Sequence, residues 1–130
     1  MPKATPFQFV LEALEDSPLS ARLRTRKMFG SLAVYIDEKI VFVLRRRQGE
    51  TARDDGIWIA SKQEYIASLK QEFPVLRSIE MFEGTGRTGF SNWLNLPEDQ
   101  ETFEETALEL CRLVIHQDKR IGRIPNRRAQ

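Results

Sequence analysis

Two apolar runs separated by three polar residues constrain this chain most. Met28 to Ile36 reads Met-Phe-Gly-Ser-Leu-Ala-Val-Tyr-Ile, and Ile40 to Leu44 reads Ile-Val-Phe-Val-Leu. β-Branched and aromatic residues on a period of two mark strands. Asp37-Glu38-Lys39 supplies a turn between them, so the stretch predicts a hairpin of strands at Arg26–Ile36 and Ile40–Arg47. Met28, Gly30, Leu32, Val34 and Ile36 would share one face, with Lys27, Phe29, Ser31, Ala33 and Tyr35 on the other. Both faces are largely apolar through Leu44, which places the pair centrally and covers it on both sides.

The flanks alternate helix and strand. Phe7, Val10, Leu11 and Leu14 recur at helical spacing, predicting a first helix over Pro6–Asp16 that ends at Ser17-Pro18. Gln48–Gly56 is polar and reads as a mobile loop, and Ile57–Ala60 as a short third strand. Ser61-Lys62-Gln63-Glu64 fits a capping box for a second helix that stops before Pro74. Ser78–Phe82 and Phe90–Leu96 read as the fourth and fifth strands, with Leu94 and Leu96 on one face and Trp93 opposite. The longest helix is expected over Glu98–Asp118, with acids in its first turns, Lys119-Arg120 after its last, and Phe103, Ala107, Leu110, Cys111 and Val114 facing inward. The order αβββαββα predicts an α+β, two-layer sandwich with a mostly antiparallel five-stranded sheet. Residues 1–130 read as a single domain whose last stretch, 119–130, is a basic, partly flexible tail.

Composition narrows the class. With 41% hydrophobic and 30% charged residues, the chain can bury a core without staples. The single cysteine, Cys111, can form no internal disulfide and fits a reducing compartment. No apolar run is long enough to span a bilayer, and Met1–Pro6 lacks the features of a signal peptide, so the expected location is cytoplasmic, away from membranes.

Each sequence hint of chemistry reads better as structure. Gly84-x-Gly86-x-x-Gly89 matches the dinucleotide fingerprint in letters, but a strand-like Phe90–Leu94 follows it where a helix is required. Cys111 lies on an apolar stripe. His116 has no second imidazole or thiolate at ligand spacing, and its five-residue separation from Cys111 turns the two side chains about 140° apart on a helix. The acids of Glu98–Glu109 suit a solvated helix start. No catalytic residue, cofactor site or metal site is therefore predicted.

Charge is distributed unevenly beneath a net charge of +1. Arg22, Arg24, Arg26, Lys27, Arg45, Arg46 and Arg47 fall on or beside the hairpin and form a candidate basic patch for phosphate or acidic protein. Trp58, Phe82 and Trp93 are the candidate lining of a small-ligand pocket between sheet and helices.

Arg26-Lys27-Met28-Phe29-Gly30-Ser31-Leu32-Ala33-Val34-Tyr35-Ile36-Asp37, followed by Lys39–Leu44 and by Ile57–Ala60, resembles the N-terminal domain of TfoX-like (Sxy-like) proteins. Trp93 and the terminal helix look more like the related YjbR/MmcQ-like domains. The chain differs from full-length TfoX in its longer Gln48–Gly56 loop and in lacking the separate C-terminal helical domain. The resemblance implies a secretion-chaperone-like fold and supplies no catalytic residues. It implies a non-enzymatic regulatory or adaptor domain acting through protein contacts, with a homodimer through a sheet edge or face as one form. A nucleic-acid-binding module using Arg22–Lys27, Arg45–Arg47 and the basic stretch Lys119–Arg128 is the alternative, and a small-ligand-binding domain the third.

Overall fold

The computed structural model describes residues 6–28, 30–47, 49–79 and 93–124. Helix α1 spans Gln8–Glu15, followed by strands β1 (Leu23–Met28), β2 (Ser31–Ile36), β3 (Lys39–Arg45) and β4 (Gly56–Ala60). Then come α2 (Gln63–Glu72), β5 (Trp93–Pro97) and α3 (Phe103–Ile115). The five strands form one antiparallel sheet in the order β1-β2-β3-β4-β5. The expected α+β class and largely antiparallel sheet are thus present.

All three helices lie against one face of the sheet. Val10, Leu11 and Leu14 of α1, Leu69 of α2, and Ala107, Leu110, Cys111 and Val114 of α3 pack with Val34, Phe42, Leu44, Ile57, Ile59, Leu94 and Leu96. The opposite face carries a smaller cluster, Ala33, Ile40, Val43 and Ala60, flanked by Met28, Tyr35, Trp58 and Trp93. Alternation along each strand divides these sets, as the pleat requires. The division of β5 is the expected one, with Leu94 and Leu96 on the helix side and Trp93 opposite.

The hairpin of β2 and β3 around Asp37 forms as expected, but the strand expected over Arg26–Ile36 does not run through. It breaks between Met28 and Ser31, which pair directly across a two-residue turn holding Gly30 at φ +80°. That left-handed backbone is open to glycine at little cost. Because the chain reverses there, Met28 lies on the face opposite Leu32, Val34 and Ile36 rather than beside them. A second irregularity sits in β3. Val34 faces Phe42 while Tyr35 faces Ile40, so Val41 is an extra, bulged residue. The bulge turns both Val41 and Phe42 toward the helices.

Other expectations shift by local chemistry. The Gln48–Gly56 stretch contains a short 3-10 turn over Gly49–Asp54 and ends in two buried aspartates, Asp54 and Asp55. The capping box is not made: α2 begins after Lys62, and the Ser61 hydroxyl instead donates to the Arg120 carbonyl at 2.6 Å. Helix α3 starts at Phe103 because residues 98–102 form turns first. Of the strand expected at Ser78–Phe82, Ser78 and Ile79 are not in a strand and residues 80–82 lie outside the described residues; just before it, Arg77 forms an isolated antiparallel bridge with Asn95. The Gly84–Gly89 motif lies outside them too. The chain after α3 is not simply a tail. Ile121 is buried, the Gly122 amide donates to the Ala60 carbonyl, and Arg123 exchanges two backbone hydrogen bonds with Ile40.

Cys111 is 1% exposed, and burial pushes its thiol up to about 12. At pH 8 a thiol of that kind offers roughly a thousandfold less thiolate than an exposed cysteine. The native protein should therefore resist an aromatic disulfide reagent until urea unfolds it, with labelling and unfolding midpoints coinciding. Rapid labelling without denaturant would show that α3 does not stay packed on the sheet.

Candidate functional site

A wide cavity lies at the end of the sheet where β2 turns into β3. It is a groove of about 960 Å³ whose wall includes Arg22, Asp37, Glu38, Lys39, Lys62, Lys119 and Arg123. Separate parts of the chain deliver the cations. Arg22 closes the 3-10 turn before β1, Lys39 opens β3, and Lys62 precedes α2. Lys119 and Arg123 follow α3.

The segment after α3 holds its side of the groove by backbone contacts to both β3 and β4. Gly122 is central to that seating. It adopts φ +103°, and a Cβ there would lie 2.6 Å from Lys39 Cδ and 3.1 Å from Val41 Cγ1. Two residues earlier, Arg120 turns away from the groove and ties the end of α3 to α2. It bonds Asp118, pairs with Glu72 at 2.7 Å, and donates to the Ser68 hydroxyl at 2.9 Å.

Electrostatics sort the cations. Arg22 pairs with Asp37 at 2.7 Å, and its hydrogen bond holds that carboxyl below the ordinary value of 3.8, with Arg24 adding its field. The Arg120 hydrogen bonds depress Asp118 likewise. Depressed carboxyls stay ionised through the usual carboxylate range, so both pairs are present above it and are lost only as pH falls through the depressed values. Lys39, Lys62, Lys119 and Arg123 have no carboxylate partner among the described residues, and the Lys119 ammonium rests 5.9 Å from the Tyr65 ring centroid. The Arg123 Nε is buried without a hydrogen-bond partner.

The seven expected patch residues do not come together as one surface. Arg22 stands at the groove end. Arg24, Thr25, Arg26 and Lys27 are exposed along β1. Arg45 is withdrawn from the surface altogether: 3% exposed, it pairs with Asp55 at 2.7 Å and lies 5.6 Å from the Trp58 ring centroid. The Arg47 amide donates to the same Asp55 oxygen. Arg46 reaches Glu98 at 3.0 Å and stacks over the Phe7 ring at 4.7 Å. Arg47 approaches Gly30 at the other end of the sheet from Arg22.

Of the three expected pocket residues, Trp58 and Trp93 meet edge to face at 6.2 Å, and Phe82 lies outside the described residues. The Trp58 indole donates to the Asp54 carbonyl. Beside Trp58 across the β4–β5 ladder, Asn95 is fully buried with neither amide atom hydrogen-bonded. Among the described residues there is no group of His, Cys, Asp and Glu able to hold a metal, and no helix long and apolar enough to cross a membrane.

Sequence reading left Lys39 and Lys62 out of the candidate patch, and placed Lys119 and Arg123 in a basic tail offered to the nucleic-acid alternative. They are scattered between residues 39 and 123, and only the basic character after Asp118 hinted at them. Comparison with family models, with curated proteins and with solved structures returns no match.

Two substitutions test this construction. Arg45→Met should cost about 3–5 kcal/mol in urea unfolding, because the buried Asp55 loses its guanidinium partner, and the double change with Asp55→Leu should recover part of it. Gly122→Ala should cost about 1–3 kcal/mol through strain at positive φ, and amide exchange at Arg123 should rise with it.

Proposed function

We propose that the chain is a non-enzymatic regulatory module that holds the phosphate backbone of a nucleic acid in the groove between the β2–β3 turn and the segment after α3. One observation carries this reading: Lys39, Lys62, Lys119 and Arg123 converge on one open groove, and none of the four forms an ion pair with a carboxylate among the described residues. Uncompensated cations are stabilised by an anion, and a row of phosphates can satisfy several at once while releasing its condensed counterions. Glu38 and the Arg22–Asp37 pair limit the local positive charge, and the net charge is only +1, so binding is weak and strongly salt-dependent. The groove offers charge without a set of donors aimed at base edges, which suits backbone contact more than sequence readout. A regulatory role accords with the resemblance of Arg26–Asp37 to the TfoX N-terminal domain.

Fluorescence anisotropy with a labelled 20-nucleotide single strand and the matching duplex tests this. Four phosphate contacts imply that affinity falls roughly 50- to 150-fold between 50 and 200 mM salt. Lys62→Glu with Lys119→Glu should weaken binding at least tenfold and flatten that dependence. The charge-matched Lys70→Glu with Arg112→Glu, both on exposed helix positions, should change it little. No binding to either oligonucleotide at 50 mM salt, or equal losses in the two double variants, would remove the groove from consideration.

A further inference from the structure

The two edges of the sheet are treated differently. At β5 the outward peptide groups are used: Asn95 and Arg77 exchange both backbone hydrogen bonds. At β1 the Asp37 amide donates to the Arg22 carbonyl, and the register Leu23↔Ile36 to Met28↔Ser31 is unbroken. In an antiparallel ladder the bonding alternates residue by residue. The peptide groups of Arg24, Arg26 and Met28 therefore face β2, while those of Leu23, Thr25 and Lys27 face outward. No described residue pairs with them.

We infer that the outer edge of β1 is a docking site for an extended acidic peptide segment, added as a sixth strand. The ladder supplies the affinity and the side chains supply the choice of occupant. Arg24 and Arg26 point to the face away from the helices, two residues apart, and both are exposed. The next position on that face is Met28, and a notch of about 340 Å³ lined by Arg26, Lys27, Met28 and Tyr35 opens there. A strand with acids at alternate positions places one beside each arginine, and an apolar side chain two residues from the nearer acid reaches the notch.

The same charges select against a second copy of this chain. Antiparallel self-pairing of β1 about the outward-facing Thr25 would bring Arg24 of each copy beside Arg26 of the other, and like charges across strands are destabilising. Basic residues on an edge commonly prevent indiscriminate pairing. Here they bar the chain itself and favour an acidic strand, so charge complementarity names the occupant. The site is independent of the nucleic-acid reading, because the groove cations Lys62 and Lys119 take no part in it.

The test uses the full chain and a fluorescein-labelled peptide reading Leu-Thr-Glu-Thr-Glu-Thr, with a permuted control, Leu-Glu-Glu-Thr-Thr-Thr. Saturable binding of the alternating peptide, at least fivefold tighter than the control, is expected. Arg24→Glu with Arg26→Glu should weaken it tenfold or more. Thr25→Pro removes an outward amide without breaking the β1–β2 ladder and should do the same. Lys62→Glu with Lys119→Glu should leave it unchanged, which separates this inference from the groove. On the unmodified protein, bound peptide should slow amide exchange at Thr25 and Lys27, a readout that does not depend on any variant folding. Equal binding of the two peptides, absence of saturable binding, or binding without protection of those two amides would overturn the proposal.

Discussion

The extra residue in β3, Val41, is the constraint on which the rest of the molecule depends. By inserting one position opposite the Val34–Tyr35 step, it sends two successive apolar side chains, Val41 and Phe42, to the helix face. It also resets which way the peptide groups point. Past the bulge, Ile40 directs its amide and carbonyl away from β2, where the Arg123 carbonyl accepts from the one and the Arg123 amide donates to the other. A regular strand would offer different groups at that place. The segment after α3 therefore docks where it does because of a one-residue irregularity eighty positions earlier. The groove inherits its position from that docking, since Lys119 reaches it from just before the bonded stretch and Arg123 from within it.

Desolvation then decides which cations are left for a partner. Arg45 faces away from the helices at the end of β3, where burial leaves it no choice but a carboxylate, and Asp55 supplies one. Arg46, next in sequence, points the other way, over the Phe7 ring to Glu98. Arg120 is half-buried and divides itself between Asp118 and Glu72. These arginines are structural members. Their planar guanidinium groups satisfy several acceptors at once, which suits such sites. Lys62 and Lys119 are exposed, and solvated ammonium groups need no internal partner. The residues available to an external anion are thus mostly lysines scattered along the chain, while the conspicuous Arg45-Arg46-Arg47 run is largely spent on holding the fold.

The fold was legible where hydrophobic period alone decided it. The α+β class, the β2–β3 hairpin, the inward stripe of α3 and the two faces of β5 all follow from where apolar residues recur. Boundaries failed where two conformations share a pattern. A two-residue turn at Gly30 interrupts the run from Arg26 to Ile36 without interrupting its apolar character, so only the positive φ separates one long strand from two short ones. The capping box failed for a different reason. Ser61 has a partner 59 residues away, and no local rule can weigh the Arg120 carbonyl against a nearby amide.

The groove was illegible for a reason that extends beyond this chain. A basic cluster contiguous in sequence is scattered by the alternation of a strand, since neighbours leave on opposite faces and meet different environments. A basic cluster contiguous in space is assembled from chain ends that the sheet happens to bring to one rim, and it leaves no periodic trace. Lys39 and Lys62 each look like an ordinary polar residue beside a turn. Their significance depends on the return of Gly122 to the edge between β3 and β4, which in turn depends on a glycine at φ +103° and on the bulge at Val41. Both features are backbone irregularities. A reading built on regular periods recovers the core of this protein and passes over the two departures from regularity that assemble its basic groove.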